Sequence, residues 1–228
     1  MTKCAWLTIL VLLVLLAAIP ACNLRRGSVE AGPGETSEEL DAAGRVLSSV
    51  GDSVPLVTVQ VSTTSGSEER RTVGVVVGDR RRILVDATAV SLNVGSGEQA
   101  EVAHTRSIEA VFHPGGEDEQ RHAAEVVRLK AERGMALLSM EGDAPSSVAL
   151  GDDVPDDARA FLISVPLNTG RLVSEAGSVR GYNQGEAGRF LLHTAGHEPG
   201  VTGPVFDAEG ELIGLQTSRS VEERTAIP

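Results

Sequence analysis

Aromatic side chains are scarce: four Phe, one Tyr and one Trp make up 3% of the 228 residues. Trp6 sits in an apolar leader, so a folded core has to be assembled from Val, Leu, Ile and Ala around the four phenylalanines. Cysteine is nearly absent, with only Cys4 and Cys22. If Cys22 becomes the mature N-terminus, Cys4 is lost and no disulfide can form within the chain, even in an oxidising compartment. Basic charge is in deficit: 20 Lys and Arg stand against 32 Asp and Glu, for a net charge of −12, which becomes −13 without Lys3. An acidic surface repels phosphate backbones, and no basic stripe with interleaved aromatics is present, so nucleic acid is not expected as a partner. No Gly-x4-Gly-Lys loop occurs; Gly95-Ser-Gly97 is followed by Glu98 and reads as a hairpin turn. Nor is there a fixed-period repeat.

The N-terminus is different in kind. Lys3 precedes an apolar run from Ala5 to Ile19. At about 15 residues it is short for a bilayer crossing and has the length of a secretory hydrophobic region. It ends in Ile19-Pro20-Ala21-Cys22, which resembles the lipobox of bacterial lipoproteins, whose cysteine receives the lipid. An ordinary signal peptide cut elsewhere and an uncleaved anchor are the alternatives. The expectation is a signal peptide over residues 1–21, lipidation at Cys22 and an extracytoplasmic chain held at a membrane by its acyl chains. Residues 22–36, rich in Gly, Pro, Ser and Glu, read as a flexible tether, and residues 37–228 as one domain.

Thr36-Ser-Glu-Glu39 fits a capping box. Leu40, Ala43, Val46, Leu47 and Val50 follow at helical spacing, with Gly51 as the terminator. After Pro55 the period changes. Leu56, Val57, Val59 and Val61 predict a strand, Ser62 to Glu69 a polar turn, Val73–Val77 a second strand, Gly78-Asp79-Arg80 a turn and Ile83–Val85 a third strand. Short apolar runs continue at 108–112, 123–129, 135–140, 159–165, 172–174, 190–192, 205–206 and 212–215. Many short strands with one helix point to an all-β barrel or sandwich.

Several of these segments, in this order, resemble the trypsin-like domain of HtrA-type serine proteases, from about Glu38 to Pro228. They are Val73-Gly-Val-Val-Val-Gly-Asp-Arg-Arg-Arg-Ile-Leu84, Ala124-Glu-Val-Val127 with Met135-Ala-Leu-Leu138, Val148-Ala-Leu-Gly-Asp152, and Phe161–Leu167 with its Val165-Pro166. Glu198-Pro199-Gly200, Glu209-Gly-Glu-Leu-Ile-Gly-Leu215 and the closing Thr225-Ala-Ile-Pro228 complete the set. The resemblance implies a chymotrypsin fold of two six-stranded antiparallel barrels with the site in the cleft between them. The peptide-binding PDZ domain of many members does not follow within this sequence.

The resemblance also locates three catalytic positions, and each is replaced. The family's histidine falls on Thr88, within Val85-Asp86-Ala87-Thr88-Ala89-Val90. A threonine hydroxyl cannot accept and return a proton near neutral pH. No histidine precedes His104, so a small shift of alignment recovers none. The aspartate that would fix the histidine's tautomer falls on Gly134; the nearest acid is Glu132. The nucleophilic serine falls on Thr202, in Gly200-Val201-Thr202-Gly203-Pro204, one glycine shorter than the family's loop. Gly200, Val201 and Gly203 are thus a remnant of the oxyanion loop. Thr202 keeps a hydroxyl, but nothing obvious activates it.

Other candidates read more plainly. His193 and His197 have the four-residue spacing of a helical metal pair, yet the stretch reads as strand and loop, so surface histidines are expected and no metal site. His104, His113 and His122 read as solvated-loop residues; a relocated triad of His113, Asp118 and Ser139 is the remote alternative. Arg80-Arg-Arg82 reads as an exposed hairpin end and Arg25-Arg26 as a weak lipid contact. The expectation is a lipoprotein pseudoprotease that needs no cofactor and binds a protein or peptide in its inter-barrel cleft. A serine- or threonine-type endopeptidase with an unorthodox site and a purely structural envelope lipoprotein are the rival readings.

Overall fold

A computed structural model describes residues 36–63, 66–91, 93–94, 101–102, 104–166, 170–185, 188–196, 201–218 and 225–226. The leader, Cys22, the tether and the turn at Gly95–Gly97 lie outside the described residues. Among those described, no helix is long and apolar enough to cross a membrane.

The domain opens with helix α1, Ser37–Val50. Its capping box is formed: the Thr36 amide donates to Glu39 Oε2 at 2.8 Å and the Glu39 amide to Thr36 Oγ1 at 3.3 Å. Those Thr36 donors, the amide first and then the hydroxyl, hold the Glu39 carboxyl below its usual range. Ala42, Ala43, Val46, Leu47 and Val50 are buried, while Leu40 is only half-buried. Gly51 does not end the helix in a left-handed turn. It stays right-handed, at φ −54° and ψ −34°, and leads into a 3-10 turn over Gly51–Ser53.

Fifteen strands follow among the described residues: β1 Leu56–Thr63, β2 Gly66–Val73, β3 Val75–Val77, β4 Arg82–Asp86, β5 Asn93–Val94, β6 Glu101–Val102, β7 His104–Phe112, β8 Gln120–Lys130, β9 Met135–Met140, β10 Arg159–Ser164, β11 Val173–Gly185, β12 Gly188–His193, β13 Gly203–Phe206, β14 Leu212–Gln216 and β15 Thr225–Ala226. The first sheet runs β2-β1-β7-β8-β9-β4-β3 and the second β14-β13-β10-β11-β12-β15. In the first, the two outer strands, β2 and β3, are one bent strand divided only by Gly74. Joining them closes the seven segments into a six-stranded barrel. Gly74 is required by close approach: a Cβ there would lie 2.5 Å from Ile83 Cγ2 and 3.0 Å from Val57 Cγ2. The expected fold, two barrel-like halves behind a short helix, is the observed one.

The polar stretch Ser62–Glu69 is mostly strand rather than turn: β1 runs to Thr63 and β2 starts at Gly66. Its charges are satisfied within the ladder, through Gln60–Glu69 at 2.7 Å, Arg71–Glu69 at 2.7 Å and Arg70–Glu68 at 3.2 Å. Pairing with neighbours here overrides a low intrinsic strand preference.

Three apolar clusters fill the domain. Val57, Val59, Ile83, Val85, Ile108, Phe112 and Leu138 are among those inside the first barrel. Ala160, Leu162, Val179, Leu191, Val205 and Ile213 are among those inside the second. The third cluster joins the buried face of α1 to Val54, Val73, Val75, Phe161, Ile163, Phe206 and Leu212. The strand period of two explains the division: along β10, Ala160 and Leu162 enter the barrel while Phe161 and Ile163 face the helix and the other half. Phe161 is fully buried at this junction, so Phe161→Ala is expected to cost about 3–5 kcal/mol, read by urea denaturation. Because Glu39 is depressed in the fold, its contribution is present above the unfolded value and is lost as pH falls through the folded one. The protection factors of the Glu39 and Leu40 amides, which donate to the Thr36 carbonyl, should therefore fall in acid before the barrels unfold.

Candidate functional site

Asp86 ends β4 and caps helix α2, Ala87–Val90. A short acceptor side chain two residues before a free amide makes such a cap locally. The Thr88 amide donates to Asp86 Oδ1 at 2.8 Å, and the Thr88 hydroxyl donates to the same oxygen at 2.9 Å. From the other half of the molecule, just beyond β14, the Ser218 amide donates to Asp86 Oδ2 at 2.6 Å and its hydroxyl to Oδ1 at 3.2 Å. Asp86 is 2% exposed. A buried carboxylate is tolerated only when hydrogen-bonded, and this one has four donors, two from each half of the domain.

The far end of α2 is held as well. Arg70 of β2 donates to the Thr88 and Ser91 carbonyls at 3.2 and 2.9 Å, a cation at a helix C-terminus, where free carbonyls gather. The Ala87 amide donates to the Gly134 carbonyl at 2.8 Å, and Met135 pairs with Asp86 between β9 and β4. Gly134 is buried and left-handed, at φ 68° and ψ 21°, where it closes the 3-10 turn Ala131–Arg133. A carboxylate-bearing residue at this position would be strained in that conformation. Glu132, the nearest acid in sequence, is exposed and 3.6 Å from Lys130. Its own backbone amide is the first cause holding its carboxyl below the usual range.

Thr202 is half-buried and stands one residue before the Gly203–Gln216 pair at which β13 begins. That register brings it to the end of the sheet where Thr217 and Ser218 leave β14. The loop is pinned from beneath: Gln216 donates its side-chain amide to the Val201 carbonyl at 2.6 Å, and Gln216 is 4% exposed. At Gly203 a Cβ would run into the Ile163 carbonyl oxygen, so glycine is required by the neighbouring strand β10. Gly200 and His197 lie outside the described residues. Thr88 and Gly134 therefore meet at Asp86, while Thr202 precedes β13 in the other half, beside the end of the strand that Ser218 follows.

The described histidines are committed elsewhere. His113 sits in the β7–β8 turn, 3.3 Å from the Asp52 carboxylate. His122 is on β8, edge-on to Phe112, with Nδ1 2.9 Å from the Glu141 carbonyl. It is half-buried in a strand, not a solvated-loop residue. His104 starts β7. His193, expected at the surface, is 3% exposed on β12 opposite Val179, because the strand turns it inward. No group of three or more metal-ligating side chains occurs among the described residues. Arg80 and Arg81, at the β3–β4 turn, both face Asp143, at 3.7 and 2.9 Å.

Asp86, Ser218 and Gln216 are the residues that sequence reasoning missed. Asp86 had a local signal, an aspartate two residues before a threonine at the end of a strand. Ser218, 132 positions away in the chain, had none. Asp86→Ala would leave buried donors without an acceptor, and a loss of about 2–4 kcal/mol in thermal or urea unfolding is expected. Ser218→Ala, which removes only the 3.2 Å hydroxyl bond, should cost about 1 kcal/mol.

The model of the trypsin-like peptidase domain family matches residues 72–215. No curated protein matches the sequence. Among solved structures, Deg5 superposes with a TM-score of 0.60 at 17% identity, over 86% of this chain and 92% of that one. The HtrA-type protease AlgW, solved with a decapeptide, gives a TM-score of 0.63 at 16% identity over 82% of this chain. With a tripeptide it gives 0.59 at 17% over 76%. The chain spans only 63% and 53% of those two AlgW chains. At such identities the likeness is one of fold.

Proposed function

We propose that this chain, which belongs to the trypsin-like peptidase domain family, is a membrane-anchored pseudoprotease that binds an extended protein or peptide segment without cutting it. The observation that carries this reading is the hydrogen bond from the Thr88 hydroxyl to buried Asp86. At the position where the family places its base, the side chain is a donor already committed to an acceptor.

Acyl transfer needs a hydroxyl activated by a neighbouring base, and a group to steady the charge on that base. Thr88 supplies no lone pair basic enough for the first task. Asp86 has the charge, but its oxygens are engaged by Thr88 and Ser218. Gly134 offers only a carbonyl, and it is taken by Ala87. The Thr202 loop keeps its Val201 carbonyl on Gln216. A cleft that carries Thr88, Gly134 and Thr202 at the positions where the resemblance places histidine, aspartate and serine suits main-chain recognition of an extended ligand. That AlgW was solved with a decapeptide supports the ligand class. Lipidation of Cys22 would hold the domain at the outer face of a bacterial membrane, consistent with the apolar run Ala5–Ile19 before it.

Two measurements test the reading. The protein should neither cleave denatured casein nor be labelled by a fluorophosphonate probe; labelling that disappears in Thr202→Ala would make it a hydrolase. A fluorescent random-decapeptide pool should bind and show raised polarisation, with the signal lost in Thr202→Trp, which fills the groove. Equal signals from parent and variant would remove the cleft as the binding surface.

A further inference from the structure

β8 pairs with β7 only from Gln120 to Ala124, whereas β9 accompanies it from Ala124 to Lys130. Beyond Ala124 the side of β8 that faced β7 carries no strand among the described residues, because β7 runs on along β1 instead. An open strand edge is a template for another strand. The same stretch exposes large apolar side chains: Val126 is 41% exposed, Val127 50% and Leu129 48%. A bulge between Val126 and Arg128 re-phases the strand. As a result Val126 lies opposite Leu138 and Leu129 opposite Ala136, both inside the first barrel, so the two exposed residues share one face.

The segment Glu125-Val-Val-Arg-Leu-Lys130 is complementary to itself when reversed. Two copies laid antiparallel about a two-fold axis set Glu125 against Lys130 and Val126 against Leu129, twice each. Directly opposed residues of an antiparallel pair share a face, so the apolar pair meets only because the bulge puts both on the same side. Within one chain, Lys130 has the exposed Glu132 at 3.6 Å, a weak pairing.

We propose that the open edge of β8, residues Glu125–Lys130, is a self-association surface on which a second copy of this chain adds its own β8 antiparallel. Charge complementarity selects this occupant: a neutral strand from another protein would leave Glu125 and Lys130 unmatched. In the same register Val127 lies opposite Arg128; a one-residue slip would lose both Glu125–Lys130 pairs, so the two charges specify the register. The interface is isologous, and each substitution counts twice.

The full chain in density-matched detergent, followed by sedimentation velocity over a range of concentrations, should pass from monomer to dimer. Glu125→Lys and Lys130→Glu each turn two attractive pairs into repulsive ones and should weaken the dimer about tenfold. The double variant Glu125→Lys/Lys130→Glu restores opposite charges and should recover the parent's association. Both sites are exposed strand positions, and circular dichroism melts check that all three variants fold. A parent that stays monomeric, single variants that associate like the parent, or a double variant that remains weak would each overturn the proposal.

Discussion

The buried carboxylate of Asp86 is the constraint around which the two halves of the domain are arranged. It takes two hydrogen bonds from its own barrel and two from Ser218 beyond β14 of the other. Removing a charge from water is costly, and the cost is met only while all four donors stay in place. The relative position of the halves, the orientation of α2 and the entry of the Thr202 loop are thus tied to one side chain. Elsewhere the junction is apolar, through Phe161, Ile163, Phe206 and the inner face of α1. Apolar packing is non-directional and tolerates sliding; the Asp86 bonds do not, so they fix the register of one barrel on the other.

The same bonds bear on the proposed loss of hydrolysis. A working site leaves a base free to accept a proton and holds an acid behind it. Here the Thr88 hydroxyl donates to Asp86, and Asp86 accepts from Thr88 and Ser218. Gly134 lends a carbonyl and a left-handed turn where an acid would stand, and Gln216 binds the loop of Thr202 by its backbone. The arrangement ties the two halves together by hydrogen bonds at the junction.

Several features were legible in the sequence because they depend on neighbours. The Thr36–Glu39 cap, the apolar face of α1 and most strands follow from local spacing. The polar stretch Ser62–Glu69 was misread as a turn, since the strand state of Gly66–Glu69 rests on pairing with Gln60–Thr63. His193 was misread as a surface residue because its burial depends on which face of β12 the second barrel encloses.

Composition, period and motif order settled that this chain forms β-strands behind one capped helix. Those properties lie within a few residues of one another, where spacing alone carries the information. Only the tertiary structure decided that Asp86 would be buried, that Ser218, 132 residues away, would reach it, and that β8 would leave an edge open past Ala124. Each of these depends on how separate strands close into barrels and how the barrels meet, and a linear pattern does not specify contacts between segments so far apart.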